Sequence, residues 1–410
     1  MKTTIIVDKN HPIKESYYKT TSFKDIKTIN NKQLLVETNT YDSFIKMQEL
    51  LKTKGIDINI TNGYEFPHKG DFTDEIDTGL VLEIESTKDI NQYLNEFGFI
   101  NRDNNRIRYV GPFIAKKLNE NNLTLEEYLD DYSEIVVVKK EPNMTSFMVV
   151  NEISNLFGIK RVGHTGTLDP MAEGVLIVAV GKATKIVELL TATEKEYIAS
   201  AKLGIRTDTR DTDGKIIEEK EVPDKLPIKE VVESYKKTYM QEVPLYSAVK
   251  IDGKKLYDYA REEKKVDLPK REVHIKEIEL IDHTKDTFTI RTLVSKGTYI
   301  RSLIDDIGKD LGVGATMTSL VRTKQGTVTL DKAATLSEIK EGNYTPYKVE
   351  DVLNYEKVEI EDNETLTYIK NGRRLKNKWN IKDKVMLFNN GKLLGIYEVD
   401  GKELKTWKNF

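Results

Sequence analysis

One short segment constrains the fold of this 410-residue chain more than any other. A loop rich in glycine and threonine, between Arg161 and Met171, leads into the uninterrupted apolar run Val175–Val180. Such a run between turn-forming residues is typical of a strand that is buried on both faces of a sheet. The residues that follow, Ala183–Leu190, have the spacing of a helix. We therefore expect a strand with a helix behind it, and the similar mixture elsewhere in the chain predicts an α+β fold.

The loop also places one carboxylate in a distinctive setting. Glycines at 163 and 166 and a proline at 170 force tight backbone turns on either side of Asp169. Functional side chains are commonly presented on loops that a rigid scaffold holds in place. Aspartate before proline is also a common turn former. Two interpretations therefore stay open on these residues alone, a structural turn and a catalytic carboxylate.

Composition excludes several kinds of chemistry. The chain has no cysteine and five histidines, which rules out disulfides and thiolate ligands and leaves little material for a metal site. No apolar run approaches the ~20 residues that cross a bilayer, and the first residues lack the cleavage signal of a secreted protein. We expect a cytoplasmic protein without membrane contact.

Charge is distributed unevenly along the chain. Residues 1–133 contain 17 Lys and Arg against 22 Asp and Glu, whereas residues 365–410 contain 11 against 4. A basic module at one end suits contact with phosphate groups, which is independent of sequence and sensitive to salt. A solvated lysine-rich surface would give the same count. The asymmetry also favours a monomer whose middle and C-terminal parts carry the binding surface.

The residues from Arg161 to Lys185 closely resemble the signature of the TruB family of tRNA pseudouridine synthases. The resemblance continues, in the family's order, through three further segments, Lys195–Gly214, Pro244–Glu262 and Ser295–Gly326. It implies a pseudouridine synthase core built on a mixed sheet. It also implies an isomerase that converts the uridine conventionally numbered 55, in the T arm of tRNA, to pseudouridine. That reaction breaks and remakes a bond within one nucleotide, so it needs no metal or other cofactor.

The resemblance assigns roles to residues around the carboxylate. Asp169 matches the catalytic aspartate of the family, which either attacks the sugar or promotes its deprotonation. Arg301 matches an arginine that pairs with this carboxylate and keeps it ionised and oriented. Tyr299 stands two residues earlier in a segment that has the pattern of a strand. We therefore expect Tyr299 and Arg301 to face the same pocket.

Other residues match contacts with the RNA. Tyr197 matches an aromatic residue that stacks on the extruded base, and Leu320 matches an apolar residue that lines the base pocket. His164 matches a histidine that holds the rearranged T loop. A later stretch interleaves Lys, Arg and Tyr, which suits contact with phosphates, although a charged run is more often a solvated face. From that stretch we expect RNA contacts by Lys254, Lys255 and Arg261.

The opening element of the family departs from its usual pattern in this chain. The element resembles K-P-x-G-x-T-S, and the segment Lys140–Ser146 has Glu141 at the proline position and Asn143 at the glycine position. Asparagine tolerates left-handed backbone better than most residues. We therefore expect the turn at Asn143 to persist.

The residues after about position 346 have the pattern of short alternating strands separated by glycine turns. This module resembles the small PUA-type β domain that follows the catalytic domain in the TruB family. The resemblance implies contact with the RNA backbone through Lys370, Arg373 and Arg374. The predicted domains are therefore residues 1–132, 133–345 and 346–410.

Residues 1–132 resemble zinc D-alanyl-D-alanine carboxypeptidases of the VanY type, in segments that include Ile58–Tyr64, Thr78–Ile84 and Arg108–Leu129. The resemblance implies an α+β peptidase-like fold that has lost its chemistry. A catalytic zinc needs three protein ligands, and an alternative alignment that uses His68 supplies a single imidazole. We expect a pseudoenzyme module whose partner is unknown. The family's zinc ligands are replaced by Ile76, Glu83 and Arg106, its catalytic glutamate by Asp103 and its substrate-binding arginine by Glu65.

Two classes of function compete for the whole chain. In the first it is an active tRNA isomerase, and in the second it is a tRNA-binding or folding factor whose catalysis is incidental. A bifunctional protein with residual peptidase activity is a further alternative. The isomerase is favoured because a protein that only binds RNA has no chemical need for a carboxylate at Asp169.

Overall fold

The computed structural model describes residues 4–5, 26–29, 32–35, 38–65, 80–86, 88, 90–103, 106–262, 264 and 266–410. The chain divides into two compact units. The first comprises Met1–Tyr132, Asn151–Val162 and Lys340–Gly342, and the second comprises Ser133–Val150, Gly163–Ile339 and Asn343–Phe410.

The strands of the first unit form two small antiparallel sheets among its described residues. The strands are β1 (Thr4–Ile5), β2 (Ile26–Ile29), β3 (Lys32–Leu35), β4 (Ile58–Glu65), β5 (Leu80–Ser86), β6 (Phe99–Asp103) and β7 (Arg106–Tyr109). They pair in the orders β1-β3-β2 and β4-β5-β7-β6. The helices are α1 (Thr38–Thr53), α2 (Asn91–Leu94), α3 (Pro112–Asn121) and α4 (Leu125–Asp131).

The start of α4 follows directly from its sequence. The Thr124 hydroxyl accepts a hydrogen bond from the Glu127 backbone N–H at 3.2 Å, and the Glu127 carboxylate accepts one from the Thr124 N–H at 2.9 Å. This reciprocal capping box satisfies two backbone donors that a helix start leaves unpaired. Tyr128 on the next turn is fully buried, and its hydroxyl donates to the Phe157 carbonyl at 2.9 Å. Helix α4 thus ends at Asp131, directly before strand β8 begins at Ser133.

The second unit is built on one mixed sheet with nine strands among the described residues. Its path runs β14-β17-β18-β11-β19-β10-β8, with β20 paired to β19 and β9 to β10. Along this path β10 and β19 are parallel, and the other neighbours are antiparallel. Hairpins β12-β13 and β15-β16 lie outside it. The strands are β8 (Ser133–Lys140), β9 (Val162–His164), β10 (Glu173–Gly181), β11 (Lys195–Leu203), β12 (Ile205–Thr207), β13 (Ile216–Glu219), β14 (Thr238–Glu242), β15 (Lys250–Ile251), β16 (Lys254–Lys255), β17 (Lys270–His283), β18 (Thr287–Val294), β19 (Ala315–Gln325) and β20 (Val328–Thr329).

The apolar run identified in the sequence forms the buried strand β10. All of Val175–Val180 is fully buried. Strand β10 is interior to the sheet, between β8 and β19, and the burial of successive residues means that both of its faces are covered. The predicted helix behind it is confirmed in part, since Lys182–Ile186 is a 3-10 helix and only the residues after it are α-helical. The helices between residues 133 and 352 are α5 (Ser146–Phe157), α6 (Val187–Thr191), α7 (Ile228–Ser234), α8 (Leu256–Arg261), α9 (Ile300–Asp310), α10 (Leu336–Lys340) and α11 (Val349–Val352).

The C-terminal residues form a separate five-stranded sheet in the order β21-β23-β24-β25-β22. The alternation of β23 fills two cores, because successive side chains of a strand point to opposite faces. Met386 and Phe388 pack with residues of β8 and β10, whereas Val385 and Leu387 pack within the module. The elements are β21 (Glu356–Glu359), α12 (Asn363–Lys370), β22 (Leu375–Lys376), β23 (Lys384–Asn389), β24 (Lys392–Asp400) and β25 (Glu403–Asn409). The predicted C-terminal β module is confirmed.

Candidate active site

Asp169 lies on the loop that connects β9 to β10, and this loop is fastened immediately before the carboxylate. The Ser146 hydroxyl accepts from the Leu168 N–H at 2.9 Å and donates to the Leu168 carbonyl at 3.3 Å. Directly after the carboxylate, the Ala172 N–H closes a turn onto the Asp169 carbonyl at 3.0 Å. The backbone on both sides of Asp169 is therefore defined by hydrogen bonds.

The opening element of the family fastens the other side of the same loop. The Pro170 carbonyl accepts from the Asn143 N–H at 2.8 Å and from Lys140 Nζ at 3.1 Å. Asn143 has a φ of 65°, so the expected left-handed turn is present with asparagine in the glycine position. Lys140 is buried and lies near Asp169, Glu173 and Arg322. Burial lowers the pKa of Lys140 to about 8, although the nearby carboxylates act in the opposite direction.

Arg301 meets Asp169 with two parallel contacts. Its Nε lies 2.9 Å from Oδ2 of the carboxylate, and its second terminal nitrogen donates to Oδ1 at 3.2 Å. Arg301 is 5% exposed whereas Asp169 is 33% exposed, so a fixed guanidinium orients a carboxylate that solvent reaches. The remaining donors of Arg301 bind the Thr209 and Tyr246 carbonyls, each at 3.0 Å. The predicted pairing of Arg301 with Asp169 is present in the structure.

A second carboxylate approaches the same guanidinium. Asp211 Oδ2 lies 3.4 Å from Arg301, and its Oδ1 accepts from the Thr209 hydroxyl at 2.5 Å and the Asp213 N–H at 3.2 Å. Burial raises the pKa of the Asp211 carboxyl, and the Asp169 charge acts in the same direction, while Thr209 and Arg301 oppose the rise. Sequence reasoning did not single out Asp211. It stands within the second matching segment, but neither spacing nor periodicity places it beside Asp169.

The sheet beneath the loop brings together two predicted pocket residues. Tyr197 on β11 pairs with Arg322 on β19, and Ala199 pairs with Leu320. Directly opposed residues and residues two apart share a sheet face, so Tyr197 and Leu320 lie on one face. Both are largely buried. The phenol of Tyr197 forms no hydrogen bond with the described residues.

Arg322 connects this sheet face to the loop that carries Asp169. Its guanidinium donates to the Val175 carbonyl at 2.6 Å and to the Gly166 carbonyl at 3.1 Å, and the side chain is fully buried. Gly174 lies against the Arg322 backbone, where a Cβ would come within 2.3 Å of the Arg322 carbonyl oxygen. Only glycine fits there, so the spacing between β10 and β19 depends on it. Sequence reasoning also missed Arg322, because buried arginines carry no pattern of their own.

The prediction that Tyr299 and Arg301 alternate along a strand is wrong. Strand β18 ends at Val294, a turn containing Gly297 with φ 81° follows, and α9 begins at Ile300. Tyr299 is the residue just before the helix, and Arg301 is its second residue. Successive helical residues are rotated by about 100°, so the two side chains do not alternate as expected. A four-residue segment is too short to distinguish a strand from a turn that starts a helix.

Comparisons with known proteins bear on this arrangement. The model of the TruB family pseudouridylate synthase N-terminal domain matches residues 154–300, and that of the tRNA pseudouridylate synthase B C-terminal domain matches residues 301–355. The tRNA pseudouridine synthase B of Caldanaerobacter subterraneus subsp. tengcongensis is 38% identical over 283 residues, which cover 67% of this chain and 98% of that protein. The chain belongs to the TruB family. It is a tRNA pseudouridine synthase, an isomerase of uridine in tRNA.

Further relatives agree with this assignment. The tRNA pseudouridine synthase B of Clostridium tetani is 40% identical over 287 residues, covering 67% of this chain and 96% of that protein. Among solved structures, an H/ACA RNP bound to a substrate RNA containing 2′-deoxyuridine has a TM-score of 0.52 at 24% identity. That match covers 71% of this chain and 88% of the other chain. A likeness at this level supports the pseudouridine synthase fold.

In this TruB-family enzyme, His164 lies at the end of β9, where the loop that carries Asp169 begins. Its Nδ1 accepts from the Gly166 N–H at 3.3 Å. Burial and the Arg322 charge lower the pKa of the imidazole. The ring is therefore neutral at neutral pH, and its Nδ1 acts as an acceptor.

The predicted RNA contacts near β15 and β16 lie on a hairpin followed by α8. Lys254 pairs with Glu262 at 2.5 Å and lies over the Tyr259 ring. Lys255 donates to the Tyr257 hydroxyl at 2.7 Å, and Arg261 lies over the same ring. Each of these cations therefore contacts a tyrosine side chain. The hairpin turn Asp252–Gly253 has positive φ at both residues.

The predicted basic group of the C-terminal module is exposed at the end of α12. Lys370 and Arg373 lie on the surface, and Arg373 stacks over the Tyr368 ring at 5.6 Å. Arg374 pairs with Asp400 at 2.7 Å and with Glu403 at 3.5 Å.

The structure describes only some of the residues that were predicted to replace zinc ligands in the N-terminal unit. Ile76 and His68 lie outside the described residues. Cα positions of three other substituted residues come together in one sheet, because Glu83 and Asp103 each pair in register with Arg106. Glu65 ends β4. Within the described part of the chain, no three His, Asp or Glu side chains are grouped to hold a metal ion, and no helix is long and apolar enough to cross a membrane.

Proposed function

We propose that this enzyme isomerises the T-arm uridine at the position conventionally numbered 55, with Asp169 as its catalytic carboxylate. The observation that carries the proposal is the bidentate contact between Arg301 and Asp169. A buried guanidinium stabilises the ionised form of a carboxylate and fixes its lone pairs. The carboxylate remains partly exposed, as a group that must touch a large substrate requires.

The isomerisation balances without an external reactant. The bond between N1 of uracil and C1′ of the ribose breaks, the uracil turns, and C5 forms a new bond to C1′. The proton that leaves C5 is matched by a proton gained at the freed nitrogen. Asp169 serves either by attacking the sugar or by promoting its deprotonation, and both routes need an oriented anion beside the ribose.

Tyr197 and Leu320 supply the surface against which the base is held. They share one sheet face next to the catalytic loop, and the phenol of Tyr197 is free of bonds to the described residues. Extruding the uracil from the T loop costs a few kcal/mol. Stacking of the base on an aromatic side chain and contacts with phosphates offset this cost.

The remaining predicted residues contact the RNA outside the pocket. His164 meets the rearranged T loop, the cations Lys254, Lys255 and Arg261 meet phosphates, and the C-terminal module adds a second patch. The ion pairs of Lys254 and Arg374 are on the surface, where such pairs contribute little. Replacing the carboxylate partner of Lys254 or Arg374 by an RNA phosphate therefore costs little free energy. The second patch consists of Lys370, Arg373 and Arg374.

A transcript of the T arm tests the proposal. The protein should convert one uridine, at position 55, and should leave unchanged an anticodon-arm transcript of equal length. Asp169→Asn should bind the T arm and leave it unmodified. Modification at another site, or of both transcripts equally, would contradict the T-arm assignment. Tight binding without modification by the unaltered protein would favour the alternative of a tRNA-binding or folding factor.

For residues 1–132 we propose a VanY-like module without peptidase chemistry. The support is the register that puts Glu83, Arg106 and Asp103 side by side, where the resemblance expects two zinc ligands and a catalytic glutamate. Of the three positions that hold zinc ligands in the family, only Glu83 is a residue type that could bind the metal, and a catalytic zinc needs three protein ligands. Metal analysis of the purified full chain should find far less than one equivalent of zinc. One equivalent, with hydrolysis of a D-alanyl-D-alanine peptide, would overturn this assignment.

A further inference from the structure

Helix α9 begins without the side-chain cap that helices commonly have. Tyr299 occupies the capping position, and its own side chain accepts no backbone hydrogen bond there. A side chain from another strand takes over this role. Gln241 of β14 is 1% exposed, and its Oε1 accepts from the Tyr299 N–H at 2.8 Å. Its Nε2 donates to the Tyr299 carbonyl at 3.1 Å. One amide therefore binds both polar groups of one residue, as a neighbouring strand would.

The orientation of this amide is determined by its partners. The Gln241 Nε2 also donates to the Tyr239 hydroxyl at 2.8 Å, and that hydroxyl donates to Asp306 at 3.3 Å. Reversing the amide would place its oxygen against the Tyr299 carbonyl and its nitrogen against the Tyr299 N–H. Both contacts would then be lost. The bonds thus fit one orientation only.

Tyr299, whose backbone groups are bound by Gln241, stands two positions before Arg301. The guanidinium of Arg301 makes four directional contacts, with Asp169 and with the Thr209 and Tyr246 carbonyls. Helix ends are prone to fraying, and Arg301 is the second residue of α9. A displacement of about 1 Å at a reacting group can lower a rate by roughly 10²-fold. The position of the first turn of α9 is therefore transmitted to the carboxylate.

We propose that Gln241 is a positioning residue for the reaction, acting through Tyr299 and Arg301 on the orientation of Asp169. The inference rests on the proposed role of Asp169. The next attachment of the helix does not use the Gln241 side chain, because the Ser302 hydroxyl donates to the Glu242 carbonyl at 2.9 Å. Loss of the Gln241 hydrogen bonds therefore releases Tyr299, while the helix after it stays attached through Ser302.

Steady-state kinetics on the T-arm transcript separate positioning from folding. Gln241→Met keeps the shape of the side chain and removes every hydrogen bond. We expect kcat to fall about 10- to 100-fold while KM changes by less than about 2-fold. The matched control is Tyr235→Phe, which removes the hydrogen bond from Tyr235 to Asp310 at the other end of the same helix. It should lower the melting temperature, because a hydrogen bond is lost, and leave kcat within about 2-fold of the unaltered enzyme.

A second variant gives a readout that a structural role would not change. Gln241→Glu keeps the acceptor for the Tyr299 N–H but sets a carboxylate against the Tyr299 carbonyl. Its kcat, relative to that of the unaltered enzyme, should recover as the pH falls and the glutamate gains a proton that it can donate. A kcat for Gln241→Met equal to that of Tyr235→Phe, or a pH-independent ratio for Gln241→Glu, would overturn the inference. Activity retained in Asp169→Asn would instead refute the proposed function.

Discussion

The buried guanidinium of Arg301 contacts both carboxylate oxygens of Asp169, Oδ2 at 2.9 Å and Oδ1 at 3.2 Å. The same guanidinium contacts two backbone carbonyls and a second carboxylate, so three separate segments of the chain, around Asp169, Thr209–Asp211 and Tyr246, set its geometry. Such a planar fork cannot be reproduced by a point charge. Orientation of the carboxylate, rather than charge alone, is therefore what this arrangement supplies.

Arg301→Lys tests that distinction. Lysine retains the positive charge but loses the bidentate geometry and the contacts with the carbonyls. We expect kcat on the T-arm transcript to fall by about 10²-fold, with RNA affinity within about 3-fold of that of the unaltered enzyme. Single-turnover rates and filter binding give the two numbers. A rate close to that of the unaltered enzyme would mean that charge is sufficient.

Asn143 offers a test of the loop that carries Asp169. Its φ of 65° lies in the left-handed region, and its N–H holds the Pro170 carbonyl. Asn143→Ala should destabilise the protein by about 1 kcal/mol and lower kcat, because alanine is strained in that conformation. Asn143→Gly should preserve both stability and activity. Urea unfolding and kcat are measured for both variants. Equal unfolding free energies of Asn143→Ala and Asn143→Gly would contradict the argument that the left-handed conformation strains alanine.

Lys140 predicts a pH dependence of stability. Its pKa in the folded protein is about 8, below the ordinary value of 10.5, because burial disfavours its charge. Between these values the unfolded chain binds more protons, so the contribution of Lys140 to stability rises with pH. Relative to Lys140→Met, the unaltered protein should gain about 1–3 kcal/mol of unfolding free energy between pH 7.5 and 10.5.

Urea titrations at several pH values measure this difference. Lys139→Met, at an exposed position of the same strand, controls for the loss of one positive charge. A constant difference between the unaltered protein and Lys140→Met over this pH range would contradict a lowered pKa.

The C-terminal module predicts a salt-dependent contribution to binding. Replacing Lys370, Arg373 and Arg374 by alanine should make the slope of log K against log salt shallower by about 2 and leave kcat unchanged. Lys285→Ala, which removes a surface cation paired with Asp224, should leave the slope unchanged. A triple variant with the original slope would remove this module from the RNA interface.

Much of this fold could be predicted because its signals are local. The run Val175–Val180 and the glycine turns of the C-terminal module each indicate an element within a few residues. Asp169 and Arg301 were found through the family resemblance, since 132 positions separate them. Asp211, Arg322 and Gln241 were missed because their roles arise only when distant strands and loops meet. The start of α9 was misread because four residues carry too little periodicity.

The central claim is that the carboxylate of Asp169 performs the isomerisation. The most direct measurement is the single-turnover yield of pseudouridine at position 55 in a T-arm transcript that is saturated with Asp169→Asn enzyme. Asparagine preserves the size of the side chain and removes its anionic charge. We expect binding within about 3-fold of that of the unaltered protein and a rate at least about 10³-fold lower. A rate within 10-fold of the unaltered enzyme at full saturation would contradict the claim.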